Sequence, residues 1–173
     1  HFLPMDTYFE PIFESKKTFR LMGSRGCPYQ CIFCLWPQTM YGRKARFRDP
    51  KKIVDEIEQM INVHQAKGIY FEDDNFTLIP QRAIAICDEM LRRKIKIPWY
   101  CMGRVDTANE EMLKKIKAAG CKMMRWGVES SSQEILDRVK KGITVEQIIK
   151  AFEMTRKIGM ETHASYTLGL PGE

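Results

Sequence analysis

The chain has 173 residues, of which 44% are hydrophobic and 29% charged, and its formal net charge is +6. This length suffices for one domain with a hydrophobic core and is short for two. Its longest apolar runs are only a few residues, whereas a bilayer-spanning helix needs roughly 20, and no secretory leader is visible. We therefore expect neither a membrane span nor secretion, but a cytoplasmic protein. The basic excess permits an acidic partner without requiring one.

Strands and helices alternate along the chain. Residues 1–17 are interpreted as a linker or N-terminal extension, and residues 18–173 as one domain. Strands are predicted at residues 18–22, 68–74, 99–103, 122–128 and 161–168. Helices are predicted from Pro50, after the cap Asp49, until Gly68 stops the pattern, and at residues 80–93, 109–119, 133–140 and 144–158. This order predicts an α/β fold with a parallel sheet, in which the carboxyl ends of the strands share one edge and carry the chemistry.

Six cysteines divide into two groups. Cys87, Cys101 and Cys121 lie in segments that resemble core, where cysteine behaves as a small hydrophobic residue. The other three form a C-x3-C-x2-C loop, and they are Cys27, Cys31 and Cys34. A structural zinc site needs four ligands and would have to recruit His64 or His163, whereas three thiolates on a [4Fe-4S] cube would leave one iron open for a chelating ligand.

This loop, with Phe33 just before the third cysteine and a predicted strand before the first, resembles that of the radical S-adenosylmethionine (SAM) enzymes. The resemblance implies that Cys27, Cys31 and Cys34 bind a [4Fe-4S] cluster whose fourth iron is chelated by SAM. Reductive cleavage of SAM then yields a 5′-deoxyadenosyl radical that modifies a small-molecule substrate, with electrons from an external donor. The implied fold is a partial (β/α) barrel with outer helices, of which this chain contains about five strands and is incomplete at its C-terminus.

The same resemblance implies where SAM lies. Asp73 and Asp74 stand where the family presents a Gly-Gly-Glu-type segment to the SAM amino group, although no Gly-Gly is present and the acids could instead cap a turn. Arg125 and Glu129 share one face of the fourth strand, where they serve either SAM or each other as a structural ion pair. The implied cofactor-binding residues are Phe33, Asp73, Asp74, Arg104, Arg125, Glu129, Ser130 and Gly169. No catalytic residue is assigned.

The last predicted strand partly matches the family pattern G-x-I-x-G-x3-E. Gly169 and Glu173 fit this pattern, whereas Ser165 and Thr167 replace its first glycine and isoleucine. His163 lies on the same face as Ser165, but a single strand histidine is more often a packed residue than a catalytic one.

The nearest resemblance is to the cobalamin-binding branch, typified by anaerobic magnesium-protoporphyrin ester cyclases and hopanoid-modifying enzymes. It rests on the Trp36-Pro37-Gln38 stretch, on Asp73-Asp74 and on the segment 169–173, which reads GLPGE. The cobalamin-binding signature Asp-x-His-x-x-Gly does not occur in the chain. We therefore expect the chain to be a piece of a longer protein, with any cobalamin domain before His1.

Two alternatives remain open. The first is a methylthiotransferase-like enzyme that modifies RNA or protein, whose acidic substrate would contact the basic run formed by Arg43, Lys44, Arg46, Arg48, Lys51 and Lys52. However, only Tyr41 and Phe47 could stack on bases there, so a nucleic-acid partner is not favoured, and we expect this run to be a solvated loop or a contact with missing domains. The second alternative is a zinc-binding domain without catalysis.

Overall fold

The computed structural model describes residues 9–10 and 15–173. Its strands are β1 (Phe9–Glu10), β2 (Ser15–Lys16), β3 (Thr18–Leu21), β4 (Ser24–Arg25), β5 (Arg46–Phe47), β6 (Gly68–Phe71), β7 (Trp99–Gly103), β8 (Cys121–Glu129) and β9 (Glu161–Tyr166). Its α-helices are α1 (Pro50–Asn62), α2 (Pro80–Arg92), α3 (Glu110–Ala118), α4 (Gln133–Arg138) and α5 (Val145–Lys157). The structure also has a π-helical turn at Pro37–Tyr41 and a 3₁₀ turn at Val105–Thr107. Of the predicted linker, residues 1–8 and 11–14 lie outside the described residues.

Five of these strands form one parallel sheet in the order β3-β6-β7-β8-β9. Helices connect each strand to the next, as a parallel sheet requires. Among the described residues the sheet does not close into a barrel. The predicted α/β fold with a partial barrel of parallel strands is therefore confirmed.

The two faces of the sheet are built from alternate strand residues. Ile69 and Phe71 point to the helix-covered face, where they join the main core with side chains from α1, α2 and α3. Tyr70, between them, points to the opposite face, and its ring stacks on that of Tyr100 with centroids 4.2 Å apart. The period-two alternation of a strand thus separates a helix-packed core from a concave inner face.

Helix α1 begins as predicted. The Asp49 side chain accepts hydrogen bonds from the backbone N–H groups of Lys51 and Lys52, and Pro50 occupies the first turn, where its missing N–H costs nothing. The buried side chains Ile53, Val54, Ile57 and Met60 repeat at helical spacing. Asn109 and Thr144 cap α3 and α5 in the same way.

Some predicted element ends differ from the structure. Strand β6 stops at Phe71, so Asp73 leaves the ladder for side-chain hydrogen bonds with the segment after β3. The last strand, predicted to reach residue 168, stops at Tyr166. Thr167 donates its N–H to the Glu129 carbonyl, and a turn at Gly169, with φ +78°, follows. Contacts with neighbouring segments set the ends of these strands, and the periodicity of the sequence carries no information on those contacts.

The basic run, predicted to be a solvated loop or a contact with missing domains, is exposed but partly ordered as a strand. Arg46 and Phe47 form β5, which pairs antiparallel with β4. Arg48 donates to the Met22 carbonyl and forms an ion pair with Glu56 on α1. Two-residue strands are too short to produce a recognisable alternation in the sequence.

Cys87, Cys101 and Cys121 are buried and are free thiols, as expected for packed cysteines. Burial raises the pKa of Cys87 and Cys101, which keeps both thiols protonated and unreactive. None of the described helices has the length and apolar character needed to cross a bilayer.

Candidate functional site

A cavity of about 410 Å³ lies at the carboxyl edge of the sheet. It is lined by residues at or beyond the ends of all five sheet strands and by the cysteine loop. Nine of the predicted site residues line it, and they are Cys27, Cys31, Phe33, Cys34, Asp73, Asp74, Arg104, Arg125 and Glu129. Ser130 and Gly169 are outside this lining. The parallel topology therefore brings together groups that are up to about 100 residues apart in the chain.

The cysteine loop contributes three thiols to this cavity. Cys31 is buried, Cys27 and Cys34 are half-buried, and none of the three is in a disulfide. Burial raises the pKa of Cys27 and of Cys34, so each thiol needs a positive partner to become a thiolate at neutral pH. The Ile32 N–H donates to the Val139 carbonyl over 3.0 Å, which fastens the loop to the end of α4.

Arg104 supplies positive charge beside the thiols. Its Nη1 lies 3.6 Å from the Cys31 sulfur, and its guanidinium stacks 3.6 Å above the centre of the Tyr29 ring. The side chain is held by two bonds to the Asp106 carboxylate and by the Lys141 carbonyl at 2.7 Å. Burial by itself lowers the pKa of Arg104, but Asp106, Cys31 and Tyr29 together outweigh it and the net shift is upward. The guanidinium therefore stays charged next to a cluster of ionisable sulfurs.

Asp73 is turned away from solvent and has its oxygens occupied. Its fully buried carboxylate accepts from the Gly23 N–H at 2.7 Å and from the Ser24 hydroxyl at 2.5 Å. Arg82 of α2 lies 3.6 Å from the same carboxylate and also donates to the Gly23 carbonyl. Burial raises the pKa of Asp73, opposed by Ser24, Gly23 and Arg82. This carboxylate fixes the start of the cysteine loop to the end of β6.

Asp74 has a different environment. One carboxylate oxygen accepts from the Gly26 N–H at 2.8 Å, and the half-buried side chain lines the cavity. Gly26 has φ +91°, a backbone conformation that glycine adopts without strain, and it immediately precedes Cys27. Of the two acids, Asp74 therefore presents its charge to the cavity.

The tip of β8 presents charges that do not pair with each other. Glu129 accepts from Lys141 Nζ at 2.9 Å and from the Thr167 hydroxyl at 2.9 Å, whereas Arg125 Nε donates to the Ser165 hydroxyl at 3.0 Å. Glu129 also has φ +67°, which is uncommon for a residue with a side chain and costs on the order of 1–3 kcal/mol. The alternative of a structural ion pair between Arg125 and Glu129 is therefore not what the structure shows, because each charge has its own separate partners.

Ser130 and Gly169 have local partners. The Ser130 side chain is buried and accepts from the Ser132 N–H, just before α4. The N–H groups of Gly169 and Leu170 donate to the Glu173 carboxylate, which closes a turn at the end of the described chain. Both residues therefore lie next to the strands and loops that form the cavity, and they do not line it.

Three residues of this region were not foreseen from the sequence. Arg82 contacts Asp73, Lys141 contacts Glu129, and the Tyr29 ring supports Arg104. A basic residue on a surface helix or in a connecting loop carries no signal that distinguishes it from the other 26 in this chain. An acid that is buried in the fold needs a basic side chain nearby, but the sequence does not indicate which basic residue that is.

The two histidines considered as zinc ligands lie elsewhere. The His64 ring packs 5.8 Å from that of Phe19, near the start of β3, and His163 is exposed on β9. Within the described ranges 9–10 and 15–173, no three His, Cys, Asp or Glu side chains are arranged to hold a single metal ion.

Sequence comparison finds enzymes that match most of this chain. It is 34% identical over 171 residues to an uncharacterized methyltransferase of Pyrococcus horikoshii, a match that covers 99% of this chain and 36% of that protein. It is also 34% identical over 152 residues to the anaerobic magnesium-protoporphyrin IX monomethyl ester cyclase of Rubrivivax gelatinosus, covering 87% of this chain and 27% of the cyclase. The chain thus spans about a third of the length of these relatives.

The fold has matches among solved structures. The cobalamin-dependent S-adenosylmethionine radical enzyme OxsB, with aqua-cobalamin bound, aligns with a TM-score of 0.77 and 28% identity, over 86% of this chain and 23% of that one. The predicted resemblance to the cobalamin-binding branch is therefore confirmed, because the proteins similar to this chain include a magnesium-protoporphyrin ester cyclase and a cobalamin-dependent enzyme. The family model described as the Radical SAM superfamily matches residues 21–173, from the end of β3 through every element that follows it. This match spans the cysteine loop and the whole cavity wall, and with it we assign the chain to the radical SAM superfamily of enzymes.

Proposed function

We propose that this chain binds a [4Fe-4S] cluster through Cys27, Cys31 and Cys34, and SAM in the adjoining cavity. The observation that carries the proposal is the meeting of three thiols, none of them in a disulfide, with acidic and basic side chains around one cavity of about 410 Å³. When bound, the cluster and SAM supply the reductive cleavage of SAM to methionine and a 5′-deoxyadenosyl radical for substrate modification.

The donor set fits an iron–sulfur cube better than a zinc ion. Thiolates are the usual ligands of such a cube, and three of them leave one iron for a further ligand. A structural zinc site takes four protein ligands, and neither His64 nor His163 supplies the fourth within the cysteine loop. Arg104, 3.6 Å from the Cys31 sulfur, places positive charge next to the negative charge that a thiolate-bound cluster would add.

The chain's own charged groups suit the two ends of the SAM methionyl moiety. Asp74 presents a carboxylate beside Cys27 and would attract the amino group of SAM. Asp73 holds the start of the cysteine loop in place by accepting from the Gly23 N–H. Arg125, on β8, also lines the cavity and would attract the carboxylate. A negative side chain that follows one strand and a positive side chain on another orient a zwitterion, which brings the sulfonium end to one fixed position.

Glu129 and Lys141 form the second polar wall. The Glu129 carboxylate already accepts hydrogen bonds from Lys141 and Thr167. The ribose hydroxyls of SAM would therefore bind to a side chain that is already ordered, which avoids the entropy cost of ordering it. The half-buried Phe33 closes the cavity next to the cysteines and limits water there. Ser130 and Gly169 complete the proposed set, and their contact with SAM requires the loops that carry them to shift toward the cavity.

The proposal extends to the organisation of the protein. Residues 18–173 would form the radical SAM core, with residues 1–17 as an extension, and cobalamin would bind to a domain outside this chain. The substrate would be a small molecule, as the name of the related cyclase indicates for that enzyme. Six free thiols fit a cytoplasmic protein, because disulfides are rare in that compartment.

The first test measures iron and sulfide after anaerobic reconstitution of six single Cys→Ala variants. We expect cluster loading to fail for Cys27, Cys31 and Cys34 and to persist for the three core cysteines. Equal loading of all six variants, or zinc in place of iron, would contradict the proposal.

The second test measures SAM affinity of the reconstituted protein by calorimetry. We expect Asp74→Ala and Glu129→Ala to weaken binding about tenfold or more, since each loses an interaction with a charged group worth roughly 1.5–3 kcal/mol. Unchanged affinity in both variants would remove these residues from the site. Lys94→Ala, at the opposite edge of the sheet, is the control.

A further inference from the structure

Arg104 is a buried cation that contacts the middle cysteine of the loop. Its Nη1 donates to the Cys31 sulfur over 3.6 Å. Both residues are buried, so solvent and salt screen this contact only weakly. Hydrogen bonds to the sulfurs are among the features that set the reduction potential of an iron–sulfur cluster. Arg104 therefore lies where it would respond to a change of charge on a cluster bound by this cysteine.

The guanidinium is held from three segments of the chain. Its Nε and Nη2 donate to the two oxygens of Asp106, in the 3₁₀ turn, at 3.0 and 3.1 Å. Nη2 also donates to the Lys141 carbonyl, after α4, at 2.7 Å. The Tyr29 ring, in the cysteine loop, stacks on the guanidinium with 3.6 Å between the ring centre and the guanidinium carbon. These contacts fix the orientation in which Nη1 points to Cys31.

Asp106 compensates the charge of Arg104 as a whole but not at the sulfur. The carboxylate binds the Nε and Nη2 edge, whereas Nη1 donates to Cys31. Because Coulomb energy falls with distance, the nearer Nη1 group acts on the sulfur more strongly than the carboxylate beyond it. The ion pair is thus an oriented dipole with its positive end at the cysteine. A dipole held in this way stabilises negative charge without having to reorient.

The three cations that line the cavity have different partners. Lys141 Nζ lies 2.9 Å from a Glu129 oxygen, and Arg125 Nε donates to the Ser165 hydroxyl at 3.0 Å. Both of these hydrogen bonds go to oxygen atoms on β8 or β9, whereas Arg104 donates to a sulfur atom of the cysteine loop. The contacts therefore separate Arg104 from the two cations placed toward the SAM side of the cavity.

We propose that Arg104 raises the reduction potential of the cluster held by Cys27, Cys31 and Cys34, and that Asp106 limits this rise. The inference rests on the proposed function. On reduction the cluster gains one electron from a low-potential one-electron donor, and thus one negative charge, with no bond or proton transferred. The positive end of the ion pair stabilises the reduced state more than the oxidised state. Arg104 acts through Cys31 and is a positioning residue, not a catalytic one.

The test measures the midpoint potential of the reconstituted chain without SAM. Anaerobic redox titrations are followed by the electron paramagnetic resonance signal of the reduced cluster, for Arg104→Met, Arg104→Lys and Asp106→Asn. The control is Arg92→Met, because the Arg92 guanidinium also binds a carboxylate through Nε and Nη2, that of Glu89. Arg92 ends α2, at the edge of the sheet opposite the cysteine loop. Iron and sulfide are assayed in every variant.

We expect Arg104→Met to lower the equilibrium constant of reduction about tenfold or more, which is about 59 mV or more for a one-electron couple. Asp106→Asn should raise the potential, because the guanidinium then faces Cys31 without its carboxylate. Arg104→Lys keeps the charge but not the planar fork, so it should fall between Arg104→Met and the wild type. Arg92→Met should match the wild type. A general loosening of the fold would not move the potentials of the two ion-pair partners in opposite directions.

The outcomes separate this inference from the proposed function. Potentials of Arg104→Met and Asp106→Asn that equal the wild-type value, or that shift in the same direction, would overturn the inference. If Arg104→Met loads no cluster, Asp106→Asn decides, since a potential at or below that of the wild type would overturn it. Weaker SAM binding by Arg104→Met at an unchanged potential would assign Arg104 to SAM instead. A wild-type chain without a reducible cluster would refute the proposed function itself.

Discussion

Removing the Asp73 carboxylate tests whether this acid is part of the scaffold. Asp73→Ala leaves the Gly23 N–H, the Ser24 hydroxyl and the Arg82 guanidinium without their shared acceptor. The Arg82 side chain is 8% exposed and the carboxylate is fully buried. Loss of one partner of a buried ion pair costs about 3–5 kcal/mol, so we expect the free energy of unfolding to fall by that amount.

Asp74→Ala is the matched control, because the neighbouring carboxylate is half-buried and accepts one backbone N–H, from Gly26. We expect it to cost about 1–2 kcal/mol. Urea unfolding of the cluster-free, thiol-reduced protein measures both, with an unchanged m value as the sign of an intact fold. Asp73→Ala should therefore cost more unfolding free energy than Asp74→Ala, whereas Asp74→Ala should weaken SAM binding more than Asp73→Ala.

A double-mutant cycle with Arg82→Met isolates the pair. If Asp73 and Arg82 stabilise each other, the double variant should lose less than the sum of the single losses, by roughly 0.5–3 kcal/mol. Strictly additive losses, or an Asp73→Ala cost no larger than that of Asp74→Ala, would refute the assignment of Asp73 to the scaffold.

Two other variants probe the cavity wall. Glu129→Gln leaves the buried Lys141 ammonium beside a neutral amide, so we expect a loss of about 1–3 kcal/mol in unfolding free energy by urea titration, and Glu129→Gln with Lys141→Met should recover part of it. Gly103→Ala would place a Cβ too close to the Thr77 hydroxyl oxygen, and we expect this overpacking to lower the free energy of unfolding by about 1–3 kcal/mol and the thermal midpoint with it. If Gly103→Ala were as stable as the wild type, the close packing of β7 on the segment after β6 would be wrong.

Much of the fold could be predicted from the sequence alone because its determinants are local. Asp49 followed by Pro50 starts a helix through contacts within four residues, and the apolar spacing of α1 records which side is buried. The cysteine motif is also local, since a single short loop can bring together three thiols that lie within eight residues. The alternation of strands and helices then requires a parallel sheet, which brings the strand ends to one edge.

The roles of individual charges were decided only by the tertiary structure. Asp73 and Asp74 are neighbours of the same type, and nothing in the sequence distinguishes the fully buried acid from the half-buried one. The difference comes from donors about 50 residues away, at Gly23 and Ser24 for one and Gly26 for the other.

Lys141 and Arg25 show the same limit. Lys141 becomes part of the site because the loop after α4 passes over Glu129, and Arg25 faces Arg46 because a two-residue ladder joins segments 21 residues apart. Hydrogen bonds and ion pairs act over only a few ångströms, so the partner of a charge depends on which segments the completed sheet brings within that distance. Periodicity along the chain reports which side of an element is buried, and it carries no information on that long-range pairing.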